Sequence, residues 1–393
     1  MKILQVLPYF HPAWIFGGPV RVLYDISGEL VKRGHDVTIY TSDVRNEYSR
    51  VKNEFAVVNG VEVHYFRNVS IFLARRKIFI TPSMVHAIKS NIKLFDIVHI
   101  HGYLSLQNPI LHYFLMKQGV PYVLQAHGAL SVIGIARCPT MVYDRLAGHR
   151  LLKDASKLIA LSQMEARQYR DFGVPKEKIC IIPNGINLSK FAYIPPKGSF
   201  RRKFSISEDQ RIVLYLGRIH KSKRLDLLVE AFSIVKEDFN NAKLVVIGPD
   251  DGYASAFSKL ASSLGIGDKV ILTGFVEEGD KLAALVDSSV FVTPCFNGFP
   301  IAFLEACFVG CPIITTSNEL EWIHGNVGYV VDSSPIALAR AISNILRDDS
   351  TLEGFQKNCK QTIKKFDVSI VTAQLENVYT SLVNGDSLLA RTS

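Results

Sequence analysis

Short apolar runs rich in β-branched residues alternate with longer amphipathic stretches along almost the whole chain, and this alternation constrains the fold more than any other feature. In the first half the runs are KILQVLPY, DVTIYTS, DIVHIHG, PYVLQAHG, KLIALS and ICIIPNG, with helical stretches such as 19–33 and 82–94 between them. RIVLYLG, KLVVIG, KVILTG, VFVTPC and PIITT repeat the rhythm in the second half. Such βαβ alternation predicts parallel sheets covered by helices on both faces. At 393 residues the chain exceeds what one core accommodates, so two domains of roughly 200 residues each are expected. The Pro- and Gly-containing YIPPKGS (193–199) reads as the linker, which gives an N-terminal domain over 1–195 and a C-terminal one over 196–366.

Composition narrows the partners. A hydrophobic content of 48% with 21% charged residues is that of a water-soluble globular protein, and no run of apolar residues is long enough to span a membrane. The apolar start, MKILQVLPYFHPAW, is interrupted by Pro8, His11 and Pro12 and has no small-residue cleavage site. It reads as a first strand, and a cytoplasmic protein is expected. The charge is lopsided: residues 1–195 hold 24 Lys and Arg against 13 Asp and Glu, and the remainder 21 against 23. A basic first half suits a phosphate-rich substrate or an anionic membrane surface. No zinc finger, RNA-binding signature or interleaving of aromatic and basic residues is present, so no nucleic-acid partner is expected. The six cysteines form no CxxC and no disulfide framework. Cys307 and Cys311 stand four apart on a predicted helix, where small apolar packing explains them.

One acid stands out. In NGFPIAFLEACFVGCPIITT (297–316), Glu305 lies in a predicted helix opened by Pro300 and closed by Gly310, with apolar side chains on every face. A buried carboxylate without a partner costs several kcal/mol. Glu305 therefore faces a cleft, has a cationic partner, or accepts hydrogen bonds from a ligand.

Ligands of open parallel sheets bind beyond the carboxyl ends of the strands. Gly17, Gly18, His101, His127, Asn184, Arg218, Gly248, Gly274 and Asn297 all follow a predicted strand and could converge on one site. Gly17-Gly18 before Pro19 lets a backbone approach an anion at a helix start, although a plain turn fits the same residues; the pattern is not GxGxxG. In LGRIHKSKRLDLLVEAF, Arg218 ends a strand and a helix begins near Lys223, so two long cations and a helix N-terminus suit a diphosphate. His99 and His101 share one strand face, but no nearby carboxylate or third His completes a metal site. His127 is a polar contact to substrate, a proton carrier, or a structural residue.

Taken together in order, GG of the first loop, DIVHIHG, HG at 127–128, ALSQMEARQYRDFGV…ICIIPNGIN, YLGRIHKSKRLDLLVEAF, LTGFV and GFPIAFLEACFVGCPIITT resemble the successive signatures of retaining glycosyltransferase family 4, over essentially the whole chain. The resemblance implies the GT-B fold, an α/β architecture of two Rossmann-like domains facing across a cleft, with the last helix (from 367) packing back on the first. It implies that Arg218 and Lys223 hold the diphosphate of a nucleotide-sugar donor, that His127 lies near the donor sugar, and that Gly17-Gly18 approach donor and acceptor. Gly274, Phe275 and Val276 match a segment near the base. Asn297, Phe299, Pro300 and Ile301 match the donor loop, and Glu305 matches the second Glu of an E-x7-E motif that meets the ribose hydroxyls. No metal or other cofactor is implied.

The first Glu of that motif is Asn297 here, which can hydrogen-bond a sugar but supplies no charge. Pro300 stands where Gly is common and lacks an N–H. The expected reaction is transfer of a hexose, with retention, to a sugar or lipid-linked acceptor hydroxyl in glycan, lipopolysaccharide or glycolipid synthesis. The rivals are a nucleotide-sugar epimerase or hydrolase of similar fold and a non-catalytic sugar-nucleotide binding protein. Arg75-Arg76-Lys77, set between apolar triplets, are candidates for peripheral contact with anionic lipid.

Overall fold

A computed structural model describes residues 1–130, 142–191, 194–296 and 298–389. The chain forms two compact units: Met1–Asn187 together with the segment from Asp367 onward, and Leu188–Phe366.

The first unit is built on eight strands among the described residues: β1 (Lys2–Val6), β2 (Asp36–Ser42), β3 (Phe55–Val58), β4 (Val61–Phe66), β5 (Ile97–His101), β6 (Tyr122–Gln125), β7 (Lys157–Ala160) and β8 (Ile179–Ile181). Their order is β3-β4-β2-β1-β5-β6-β7-β8. Every pairing is parallel except β3 with β4. The central strands are buried on both faces, as in β5, where Ile97, Val98, His99, Ile100 and His101 are all inside. The sequence runs did not point to the β3–β4 hairpin. Its turn is Asn59-Gly60, both with positive φ (51° and 77°), which matches the twist of the flanking strands. Helix Gly18–Lys32 has Pro at its start and packs against Val368–Leu389. Arg33 and His35 both bond Glu376 of that last helix, at 3.0 and 2.8 Å.

The second unit holds β9 (Arg211–Leu216), β10 (Ala242–Ile247), β11 (Val270–Gly274), β12 (Val290–Thr293), β13 (Ile313–Thr315) and β14 (Gly328–Val330). The order is β11-β10-β9-β12-β13-β14, parallel throughout. Its core joins the buried faces of β9, β10 and β12 to helices Leu225–Asp238 and Pro335–Arg347. β14 is three residues long and carried no strand pattern of its own. The stretch read as a linker is tied down at its far end: the buried Asp287 accepts hydrogen bonds from the backbone N–H of Gly198, and of Phe200 and Arg201 at 2.9 and 3.1 Å. Cys311 falls beyond the cap Gly310, outside helix Ile301–Val309, and is buried with Cys307 and Cys359; Cys138 lies outside the described residues. Among the described residues no helix is long and apolar enough to cross a membrane.

Candidate functional site

Because neighbouring parallel strands end at the same edge, each sheet gathers its strand-end residues along one line. In the first unit that line carries Gly17-Gly18 after β1, His101 ending β5, and His127 after β6. Gly17 has φ 88° and precedes helix Gly18–Lys32, so the glycine pair lies at a helix start.

The β5–β6 register brings together histidines 26 residues apart. His101 Nδ1 is 2.9 Å from His127 Nε2, and the two rings are stacked with centroids 5.2 Å apart. His101 Nε2 faces Gln5 Oε1 on β1 at 2.6 Å. Behind it, the His99 ring lies 4.0 Å from the His101 ring, centroid to centroid, and His99 Nδ1 meets the Tyr379 hydroxyl of the last helix at 2.6 Å. His99 and His101 are fully buried whereas His127 is only partly so. No local pattern sets a third histidine beside the first two; the pairing of β5 with β6 creates it. Even so, among the described residues no group of His, Cys, Asp and Glu is disposed to hold a metal ion.

Burial sets the charge of this array. It pushes the His99 imidazole down to about 3 and His127 to about 4, and His101 well below its ordinary value. Mutual repulsion among the rings lowers His99 and His101 further. All three are neutral at pH 7. The loop that carries His127 is held in an uncommon conformation, with φ 55° at His127 and 77° at Gly128. Glu165, buried at the start of helix Gln163–Asp171, fixes it. Its carboxylate accepts from Gly128 N at 2.7 Å and from Leu161 N at 2.6 Å. Sequence reasoning missed Glu165 and Gln5; a Glu three residues after a capping Ser, here Ser162, has the pattern of an ordinary helix start.

In the second unit, Arg218 follows β9. Tyr215 donates its hydroxyl to the Arg218 carbonyl at 3.1 Å, and the Arg218 guanidinium pairs with Asp251, the loop residue after β10, both side chains about half exposed. Lys223 closes a short turn, Lys221–Lys223, and Arg224 adopts a left-handed conformation before the helix proper begins at Leu225. The helix therefore starts two residues later than the sequence suggested. Gly248 cannot be replaced here: a Cβ would stand 1.9 Å from the Gly217 carbonyl oxygen. Gly248 N donates to Gly274 O at 2.9 Å and Gly217 N to Ile247 O at 3.0 Å, so the ends of β9, β10 and β11 are laced together. Gly274, Phe275 and Val276 follow at the β11 end, and Phe275 is 72% exposed.

β12 neighbours β9, so the loop it feeds belongs to the same edge. Asn297 lies outside the described residues. Phe299 is buried against Trp322 and Phe366, with ring centroids 6.0 and 5.6 Å away. Pro300 caps helix Ile301–Val309. Glu305 is 2% exposed, and its Oε1 is 2.7 Å from Lys281 Nζ on helix Glu278–Asp287. Of the three ways to accommodate this acid, the structure shows a cationic partner. Lys281 also meets Glu278 at 3.0 Å. Nearby, burial raises the Glu319 carboxyl above its ordinary value, opposed by the Gly298 N–H and the Ser317 side chain.

Comparison with known proteins follows the same division. The family described as Glycosyl transferases group 1 matches residues 196–365, and Glycosyltransferase Family 4 matches residues 16–190. The chain belongs to these glycosyltransferases. An uncharacterized glycosyltransferase of Methanocaldococcus jannaschii is 27% identical over 96% of this chain and 98% of its own length. The D-inositol 3-phosphate glycosyltransferase of Corynebacterium glutamicum is 22% identical over 95% and 93%. Among solved structures, Anabaena HepE in complex with UDP-glucose superposes with a TM-score of 0.75 at 18% identity, covering 97% of this chain and all of its own. The fold is accordingly GT-B, and the enzyme is a glycosyltransferase.

Proposed function

We propose that this glycosyltransferase moves a hexose from a nucleoside diphosphate sugar to an acceptor hydroxyl with retention at the anomeric carbon. The observation that carries the proposal is the edge of the second sheet, where Arg218, the Lys221–Lys223 turn and the laced glycines 217, 248 and 274 adjoin one another. Long cations grouped at a strand end ahead of a helix suit a diphosphate. As the bond from sugar to phosphate breaks, negative charge grows on the leaving diphosphate, and Arg218 and Lys223 stabilise it. Arg218 is held by a half-exposed carboxylate, Asp251, which a doubly charged phosphate displaces at little cost. Gly274, Phe275 and Val276 meet the base, and Asn297, Phe299, Pro300 and Ile301 form the donor loop. Ribose hydroxyls donate to the Glu305 carboxylate beside Lys281. His127 and Gly17-Gly18 of the first unit meet the transferring sugar and the acceptor. The leaving phosphate takes the acceptor proton on the same face, so neither a metal ion nor a second carboxylate takes part. Support comes from the relatives whose names specify glycosyl transfer to an inositol phosphate and from the UDP-glucose complex of a protein of the same fold.

The test is to incubate the protein with UDP-, GDP- and ADP-hexoses, with and without acceptor alcohols such as inositol phosphate. Nucleoside diphosphate released in step with a glycosylated acceptor is expected. Donor altered without acceptor would mark an epimerase or hydrolase, and binding with no turnover a sensor.

A lipid-linked acceptor at an anionic membrane is favoured by one surface. Val69, Phe72 and Ile78 are exposed around helix Ile71–Arg75. The Arg75 guanidinium lies 4.4 Å from the Tyr48 ring centroid and that of Arg76 4.6 Å from Phe72. Apolar side chains with cations laid over aromatic rings suit an interfacial position. Sedimentation with vesicles containing anionic lipid at low salt, lost at high salt, is the expected result; no sedimentation at low salt ends this part of the proposal.

A further inference from the structure

We infer that His101 is a positioning residue that fixes the tautomer of His127, under the control of Gln5. The inference rests on the role proposed for His127 only for its effect on turnover. The chain of bonds is one-directional. Gln5 Oε1 is an acceptor, and at 2.6 Å from His101 Nε2 it requires the proton of that neutral ring to be on Nε2. His101 Nδ1 is then a lone pair, so His127, 2.9 Å away through its Nε2, donates that N–H to it. A neutral imidazole holds one ring proton. His127 Nδ1 is thereby left as the unprotonated nitrogen, able to accept a hydrogen bond from a sugar hydroxyl.

The surroundings keep the array from reversing. Gln5 and His101 are both within 1% of full burial, so no bulk water competes for their bonds. His99 backs the His101 ring at 4.0 Å and is itself anchored through Nδ1 to Tyr379. Glu165 clamps the backbone beyond His127 through Gly128 N. This leaves the ring little freedom to turn its other nitrogen toward His101. The arrangement parallels the general device in which a second group selects the tautomer of a functional histidine; here the second group is another neutral imidazole instead of a carboxylate.

The experiment is 15N NMR of histidine-labelled full-length protein without donor, with His127 assigned by its loss in His127→Gln. In the wild type His127 is expected as a single tautomer with its proton on Nε2. His101→Phe keeps a ring in the space but removes the acceptor, and is expected to give a mixture of tautomers. It should lower kcat about tenfold or more with KM for the donor changed less than twofold, as loss of a placed hydrogen-bonding group does. Gln5→Leu is expected to give the same mixture should His101→Phe not fold. Gln5→Glu, which retains an acceptor, preserves the single tautomer. A proton on His127 Nδ1 in the wild type, or an unchanged single tautomer in both His101→Phe and Gln5→Leu, overturns the inference. His127→Gln separates the two levels: full turnover in that variant removes the sugar-contact role of His127, while the tautomer measurement still decides what His101 does.

Discussion

The two sheet edges answer the same demand, to present polar groups beyond buried strands, in opposite ways. On the first, the groups of the histidine array are uncharged and dry: Gln5, His99 and His101 are interior, and their bonds run to one another, to His127 and to Tyr379, while the buried Glu165 spends its carboxylate on backbone N–H groups. On the second, the strand-end groups are charged and largely wet, with Arg218 and Asp251 about half exposed, and the buried Glu305 carries a lysine. A neutral, rigid network specifies direction and proton position but supplies little field. Exposed cations supply field and yield readily to an anion. Under the proposed function, the contrast suits one sheet to orienting a sugar and the other to receiving a diphosphate.

The largest effect that would break the comparison is on the charged edge. Arg218→Ala is expected to lower kcat about a hundred- to a thousandfold, roughly 3–4 kcal/mol of transition-state stabilisation, with an unchanged melting temperature because the side chain is half exposed. Near-normal turnover would remove diphosphate stabilisation from this residue. Next comes Lys281→Met, which takes the lysine away from the buried Glu305. Urea unfolding should show a loss of about 2–3 kcal/mol, below the figure for a wholly buried pair because Lys281 reaches solvent. Most of that loss should return in the double variant with Glu305→Gln, and a loss under about 0.5 kcal/mol would show the acid to be satisfied by other groups.

The neutral edge answers to pH. The folded His99 is depressed to about 3, far below the roughly 6.5 of an unfolded chain. Its contribution to stability is therefore complete above pH 6.5 and is lost as pH falls toward 3, because the unfolded state takes up the proton first. The slope is about 1.4 kcal/mol per pH unit for each such histidine. His99→Phe should take up about one proton fewer on unfolding at pH 5 than the wild type, read by calorimetry in buffers of different ionisation enthalpy. Equal uptake would mean His99 is already protonated in the fold. The smallest effect is expected from Asp251→Asn, which should change donor Kd by no more than about fivefold, since an exposed ion pair contributes up to about 1 kcal/mol. A larger change would place Asp251 among the groups that hold the donor.

Much of this was legible from the chain alone, and the exceptions share a cause. Parallel strands buried on both faces announce themselves as unbroken apolar runs, and those of β1, β5, β9 and β10 were found in that way. The β3–β4 hairpin escaped because Val61–Phe66 alternates with charged and polar residues instead, although Asn59-Gly60 marked its turn. The site residues at strand ends were recognisable one at a time, as Arg218 and His127 were. Their partners were not. His101 meets His127, Arg218 meets Asp251 and Glu305 meets Lys281 across separations of 26, 33 and 24 residues. Those contacts depend on which strand lies beside which and which helices touch, information that local pattern does not hold.

The bond between Tyr379 and His99 sets an order of events during synthesis. The first 187 residues leave the ribosome well before the helix that completes them, while Leu188–Phe366 is made without interruption. The unit begun first is thus finished last, and until residue 379 emerges the nascent β5 carries an imidazole with no phenol to meet it. A messenger truncated ahead of that codon would yield a second unit with its whole core beside a first lacking the phenol that meets His99.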